Sequence, residues 1–542
     1  IVEELVEHFY SDGYNVNKNK LKDSIIKQIE NFDIPFFYLD VNRGLLIDGN
    51  SEVLSEIKFD PIEYVIKRIE SFSKKKLNIQ KEIIHYTCNL AFDQLNCDVK
   101  TLDNSYKPIK FIEDSSDEIL NEEKLLDISI KIADKILYSA LEYEKSINWI
   151  SKVREPNGKY GISLLNYDLY DGLSGMCLFY IQMYENTKNI KYKNVYERIF
   201  YQLKSICIER YHNKYYQKLS YDIKQSYPIS PYSFPASFIF LSLQRKDLNN
   251  ESIEVVKLVV HDLKYLLEYT KYDDYLLGVC GLLDLLISNL NYFDDSIKSS
   301  LEDLIEMCKT KLIKSEIKNL ENKMSYWIIN DDSNNLKSFG GFAHGSSSFA
   351  YLFSKLAITD DRFKERMIWS LNHDRSFFNE EIQGWIDNRE DNGILNDPVA
   401  WCHGSSGIAL GRLLMNNYYD DLIDVELQIA MNNIIKKGIH KNESICHGSL
   451  GNIEVLYAIS LKFNDVKTQK MINKYLNDFC NVLEKDLDLF KNGTEGNTKI
   501  LGLFLGNSGL AYQLLRFYNW EKTPSVLCLE TIYTKNRLLH EK

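Results

Sequence analysis

The chain has 542 residues, 44% hydrophobic and 26% charged, with a formal net charge of −12. That composition excludes wholesale disorder. The acidic balance excludes general nucleic-acid binding, which needs a basic face to displace counterions. The ten cysteines (Cys88, Cys97, Cys177, Cys207, Cys280, Cys308, Cys402, Cys446, Cys480 and Cys528) are scattered. In a chain this long that excludes a disulfide framework and predicts buried thiols in a reducing, cytoplasmic compartment.

No apolar run reaches the ~18–20 residues a bilayer requires; the best, Leu276 to Ile287, is short and carries Asp284. The N-terminus, Ile1-Val2-Glu3-Glu4-Leu5, is acidic and has no signal-peptide core. It begins with Ile rather than Met, so an N-terminal portion is expected to be missing.

The first hundred-odd residues read as helices with one extended patch. Ile34-Pro35-Phe36-Phe37-Tyr38-Leu39-Asp40 is β-prone and runs into a turn at Asn42-Arg43-Gly44. Asp60 and Pro61 can cap and start a helix whose Ile62, Val65, Ile66, Ile69 and Phe72 share one face. Phosphate loops of the GxxxxGK[ST] or GxGxxG kind are absent, and with them any ATP site. The stretch from Cys97 to Ile119 turns polar and acidic, which places a domain boundary at residues 118 and 119. Beyond it Leu126, Ile130, Ala133, Leu137 and Leu141 predict an amphipathic helix.

From Tyr167 onward one unit recurs: a short loop, a small residue, two residues, another small residue, then an apolar helix. The copies are Gly172-Leu173-Ser174-Gly175, a degenerate Ser233-Phe234-Pro235-Ala236, Gly278-Val279-Cys280-Gly281, Gly345-Ser346-Ser347-Ser348, Gly404-Ser405-Ser406-Gly407, Gly448-Ser449-Leu450-Gly451 and Gly506-Asn507-Ser508-Gly509. Amphipathic helices lie between them, as through Val255, Leu258, Val259, Leu263 and Leu266. Seven helical hairpins predict an all-α fold, an α/α toroid of seven inner and seven outer helices, preceded by a small, mostly helical N-terminal segment. An open solenoid is the alternative.

The residue just before each first small residue is Asp171, Tyr232, Leu277, His344, His403, His447 and Leu505, and the one before that is Tyr170, Pro231, Leu276, Ala343, Cys402, Cys446 and Phe504. The chemistry therefore clusters in repeats four to six. Equivalent positions of adjacent repeats sit side by side around a ring, so Cys402, Cys446 and His447 can converge. Two Cys and one His fit a zinc site with an open fourth position, and so electron-rich a site favours activation of a substrate thiol. Three other readings stand beside it: coincidence with buried thiols, a structural zinc with His403 as fourth ligand, and His403 as support for the ligand before it. His344 can act as an acid or base or be a satisfied loop histidine. Asp168 can be catalytic, or Asp168 and Asp171 can cap the following helix. An α/α-barrel glycosidase would need paired carboxylates at the mouth, and a zinc deaminase an H-x-E with P-C-x-x-C, which the chain lacks.

Trp401-Cys402-His403-Gly404, Cys446-His447-Gly448, Ala343-His344-Gly345 and Tyr170-Asp171-Gly172-Leu173-Ser174-Gly175 resemble, in order, the motifs of the lanthionine synthetase C-like cyclases, from about residue 120 to the C-terminus. Asp33-Ile34-Pro35-Phe36-Phe37 and the run from Phe59 to Leu95 are similar to the end of the dehydratase domain of bifunctional class II lanthipeptide synthetases. The resemblance implies a dehydratase-like remnant over residues 1–118 and a cyclase domain over 119–542. It implies zinc held by Cys402, Cys446 and His447, an acid/base His344 and an assisting Asp168. It also implies a precursor peptide with leader and dehydrated core as partner, an exporter as a further associate, and thioether ring formation as the activity. Pro398 and His403 stand where the stand-alone cyclases have Arg and Tyr, so His403 is a second candidate proton donor. Addition of glutathione to dehydrated residues, and a peptide-binding scaffold with structural zinc, are the alternative functions.

Overall fold

The small-residue steps each start a helix, and those helices are largely apolar and buried on every side. Every side chain from Leu173 to Met183 is buried, as is every position of Ser405–Leu414; a helix without a polar face has to lie inside. The helices between them are amphipathic. Ile190–His212, for example, buries Tyr192, Val195, Tyr196, Ile199, Phe200 and Leu203 at three- and four-residue spacing.

In this computed structural model the result is two concentric layers. The outer helices are α1 (Glu122–Tyr138), α3 (Ile190–His212), α5 (Asn250–Leu267), α7 (Asp295–Ser315), α9 (Lys364–Arg375), α11 (Asp421–Asn433) and α13 (Val466–Lys485). The inner helices are α2 (Leu173–Thr187), α4 (Ala236–Gln244), α6 (Val279–Asn289), α8 (Ser346–Leu356), α10 (Ser405–Leu414), α12 (Ser449–Lys462) and α14 (Asn507–Tyr518). Helix α14 packs against α1 and α2, so the series closes into a toroid rather than an open solenoid. Strands in this part are confined to short antiparallel hairpins.

The structure describes residues 18–31, 34–56, 60–94, 109–111, 119–143, 145–154, 159–245, 250–330, 336–389, 395–415, 417–439, 442–494, 498, 500–535 and 538. Asp33, Phe59, Cys97 and the acidic run at 113–118, which bear on the N-terminal resemblance and the expected boundary, lie outside them. The chain forms two compact units, Ile1–Glu82 and Ile83–Lys542. In the first, helix Lys18–Glu30 places Leu21 and Ile25 against Leu54 of a three-stranded antiparallel sheet (Phe37–Asp40, Leu45–Asp48, Val53–Glu56). Only the first of these strands was visible in the sequence; four-residue strands carry little pattern. Helix Pro61–Glu70 forms with its Asp60 cap, but its apolar face is exposed, Ile69 by 68%.

Helix α1 also departs from expectation. It buries Leu125, Ile128, Ile132, Ala133 and Ile136 rather than the stripe through Leu126, Ile130 and Leu137. Two overlapping stripes are apolar, and the neighbours α14 and α13 select one. Leu141 belongs to a strand, Leu141–Tyr143.

A belt of backbone hydrogen bonds joins the loops that precede the inner helices. Tyr170 N donates to Tyr232 O (3.1 Å), Ser230 N to Leu277 O (3.2 Å), Leu276 N to Ala343 O (3.0 Å), Trp401 N to Cys446 O (3.2 Å), Cys446 N to Phe504 O (3.2 Å) and Phe504 N to Tyr170 O (2.9 Å). Each bond runs from one repeat to the next, and the last returns from the seventh to the first. Between the fourth and fifth repeats, among the described residues, the His403 ring on the Gly340 backbone and close packing take the place of that bond. A Cβ on Gly341 (φ +106°) would lie 2.8 Å from the His403 Cα, and one on Gly407 would lie 2.7 Å from the Phe342 nitrogen. Only glycine permits that approach.

The axis of the ring is filled by the chain's own C-terminal segment, in which Val526, Leu527, Cys528 and Leu529 are fully buried. Its carbonyls take side chains from across the ring: Tyr232 Oη on Val526 O (2.8 Å), Trp401 Nε1 on Leu527 O (3.1 Å) and Gln244 Nε2 on Glu530 O (2.8 Å). No helix of the described residues is long and apolar enough to cross a membrane.

Candidate active site

Repeats three to six bring their chemistry to one stretch of this rim. The Trp401–Cys446 backbone bond sets the fifth and sixth loops side by side, and the Cys402 and Cys446 thiols hydrogen-bond to each other. Cys402 is lowered to about 7, chiefly because Cys446 donates to it; burial opposes this, and the His344 and Arg389 charges assist. Cys446 is pushed well above the ordinary thiol range by the same hydrogen bond, by burial and by the charge on Cys402. Without a cation between them the pair ionises one sulfur at a time. The Tyr170 phenol, stacked on Phe504 at 4.8 Å, also hydrogen-bonds Cys446.

His344 stands at the start of α8. Its Nδ1 lies 2.6 Å from Asp274 Oδ2, and Asp274 is itself buried and fixed by the Leu277 N–H at 2.7 Å. Burial opposes charge on the ring, but the Asp274 carboxylate and the Cys402 sulfur outweigh it, so the His344 pKa is raised. His403 stacks on His344 at 5.5 Å and sets its ring edge on Phe339. Burial and the positive charges of Arg389 and His344 push it well below the usual imidazole range. His447 Nε2 lies 2.8 Å from Gly493 O; donation to that carbonyl leaves the imidazole lone pair on Nδ1. Among the described residues no three His, Cys, Asp or Glu side chains already stand in metal-binding geometry: the thiols meet, while the His447 ring is held on Gly493.

Asp168, expected to assist the acid, is placed elsewhere. Its Oδ1 accepts the Phe234 N–H at 2.8 Å, and burial, with Asp171 beside it, raises it to about 7. The carboxylate on His344 is that of Asp274. A signal for it was present: Asp274 stands four residues before Gly278, as Asp168 does before Gly172. The two carboxylates share a register, and the third repeat, not the first, adjoins the fourth.

Two more groups went unseen in the sequence. Arg389 is held by Asp387 (Nε to Oδ1 2.9 Å) on a loop that Asn388 ties to Ser338 O at 2.9 Å, and its charge reaches His344, His403 and both thiols. Asp397, 2% exposed, accepts the Ser405 N–H at 2.9 Å and the Asn433 amide at 3.1 Å, anchoring the loop that carries Cys402.

Residues 163–528 match the lanthionine synthetase C-like protein family. The chain belongs to this family. Its lanthionine synthetase C-like region thus begins just before the first repeat and ends within the axial segment. Over 521 residues the chain is 24% identical to the lacticin 481/lactococcin biosynthesis protein LcnDR2 of Lactococcus lactis subsp. lactis, a match covering 92% of this chain and 51% of that protein. The chain therefore spans about half the length of this curated relative. Among solved structures it is similar to nisin cyclase (18% identity, TM-score 0.47, 67% of this chain and 92% of that one). It is also similar to an unsaturated glucuronyl hydrolase of Streptococcus agalactiae (10% identity, TM-score 0.35, 68% and 98%).

Proposed function

We propose that this lanthionine synthetase C-like protein is a zinc-dependent lanthipeptide cyclase acting in the cytoplasm. It adds cysteine thiols of a ribosomally made precursor peptide to dehydroalanine or dehydrobutyrine, closing lanthionine and methyllanthionine rings. The observation that carries this reading is one rim that pairs two thiols with a carboxylate-backed imidazole. The donor chemistry fits zinc: Cys402 and Cys446 as thiolates and His447 as a neutral imidazole would hold it and leave one position open. Bound there, the ion would deprotonate and orient the substrate thiol.

The chain's own residues supply the rest. The incoming sulfur bonds the β-carbon, the double bond's electrons move toward the carbonyl, and the α-carbon then needs a proton. His344 is the donor in this reading, because Asp274 holds its Nδ1 and favours the imidazolium, leaving Nε2–H to transfer. His403, kept neutral, packs behind it. Arg389, whose charge reaches His344 and both thiols, would favour the negative charge that grows on the enolate. The thiol loses one proton and the α-carbon gains one, so the addition is balanced. The dehydro residues would come from a dehydratase domain, of which residues 1–118 are proposed as the remnant.

The deciding test uses a dehydrated precursor peptide with and without glutathione, read by mass spectrometry after thiol capping, beside the metal content of the chain. Ring formation with about one zinc per chain, both lost in Cys446→Ala, is the expected result. Glutathione adducts without rings would assign the site to intermolecular thiol addition. Retention of metal and rings in Cys446→Ala would overturn the assignment.

A further inference from the structure

Buried and half-buried arginines in the toroid normally hold a carboxylate. Arg198 pairs with Glu142, Arg245 with Glu197, Arg375 with Asp420, Arg412 with Asp374 and Arg516 with Glu454. Arg210, at the end of α3, does not. Its Nη1 donates to the phenols of Tyr216 and Tyr227, both at 3.2 Å. Its guanidinium lies on the faces of Tyr215 (4.5 Å), Phe234 (5.0 Å) and Tyr167 (5.3 Å). Among the described residues, Nε and Nη2 have no acceptor and no carboxylate is within ion-pair distance.

Aromatic faces attract a cation but return only part of the hydration a guanidinium loses on burial. A planar fork with one edge satisfied and the other open is built to take a carboxylate side-on. Asp168 and Asp262 are near enough to feel the Arg210 charge, but neither is in ion-pair contact with the guanidinium. Asp168 turns its Oδ1 to Phe234 and is raised to about 7, chiefly by burial, and Asp262 is raised to about 6 for the same reason. Tyr167 and Phe234 belong to the loops of the first and second repeats, which the Tyr170–Tyr232 backbone bond joins, and Tyr170 of the first of these loops hydrogen-bonds Cys446 of the thiol pair. Beyond Tyr216 lies a cavity of about 280 Å³ that Lys214, Gln217, His261 and Asp262 also line. In a chain of net charge −12, overall attraction does not bring an acidic ligand to the rim. A fixed fork selects one at a single point.

We propose that Arg210, in its cage of Tyr167, Tyr215, Tyr216, Tyr227 and Phe234, is a carboxylate-binding subsite that anchors an acidic group of the peptide substrate beside the thiol site. This rests on the reading of the substrate as a peptide, and it names one feature that peptide must carry. The carboxylate can come from an Asp or Glu side chain or from the chain terminus.

The test measures binding of the full chain to three short synthetic peptides of otherwise identical sequence. One has a central Glu and an amidated end, one a central Gln and an amidated end, and one a central Gln and a free end. Wild type is expected to prefer at least one carboxylate peptide over the Gln amide by ~10-fold or more, as a charge-assisted bond carries. Which peptide gains identifies the source. Arg210→Gln should lose the preference, and Arg210→Lys, which keeps the charge without the fork, should retain only part of it. Thermal melting confirms that each variant is folded. Cys446→Ala should keep the full preference, so failure of the thiol chemistry and failure of this subsite are read separately. No preference in wild type, or an undiminished one in folded Arg210→Gln, would overturn the proposal.

Discussion

His344 Nδ1 and Asp274 Oδ2 lie 2.6 Å apart, across the junction of the third and fourth repeats. The pair couples the proposed proton donor to a buried carboxylate that is itself held by the backbone. Asp274→Asn preserves the shape of the contact and removes the charge. The raised His344 pKa should then fall, and because the proposed mechanism uses the protonated ring, the alkaline limb of the pH–rate profile should move to lower pH. Single-turnover cyclisation at neutral pH should drop ~10²-fold or more, and Asp168→Asn should cost at least tenfold less. Equal losses would return the assisting role to Asp168.

The thiol pair makes an asymmetric prediction for metal-free protein. Cys402, at about 7, should alkylate with iodoacetamide at neutral pH well before Cys446, whose thiol is held protonated and buried. Peptide mapping after partial labelling reads the order. Added zinc should protect both, and equal rates without metal would contradict the hydrogen-bonded pair.

Asp397 offers a stability test away from the chemistry. Asp397→Ala orphans the Ser405 and Val399 N–H groups beneath the Cys402 loop, while the Asn433 amide keeps Gln383 O and Ser405 Oγ. Urea unfolding should show a loss of about 2–3 kcal/mol, with metal affinity falling as the loop loosens. A change below about 0.5 kcal/mol would mean the anchor is dispensable.

Asp168 should leave a mark on stability rather than rate. Its folded pKa of about 7 stands above the ordinary carboxylate value, so the folded chain holds a proton there that the unfolded chain has lost. That contribution is complete below about pH 4 and disappears as pH rises through 7. Asp168→Asn should therefore be nearly neutral at pH 4 and stabilising at pH 8. The full displacement would correspond to ~4 kcal/mol. Asp168 is only half-buried, so screening reduces the expectation to about 1–2 kcal/mol. Melting curves at the two pH values check the sign.

What the sequence by itself determined was everything that repeats locally. A small-residue step followed by a largely apolar helix is a property of a short stretch, and all seven steps open an inner helix. The indexing of those steps put Cys402, Cys446, His344 and His403 on one arc, and the thiols meet although far apart in the chain. The three-stranded sheet of the first unit and the buried stripe of α1 were not legible, because short strands and doubly apolar helices leave the choice to their neighbours.

Tertiary structure alone decided which repeat faces which. Asp168 and Asp274 stand in the same register before their glycines, and only the order of repeats around the closed ring sets Asp274 against His344. Arg389 reaches the site from a loop that belongs to no repeat. Leu527 meets Trp401 because the C-terminus returns through the axis. Such contacts depend on closure and on loops of unequal length, and no local period encodes either.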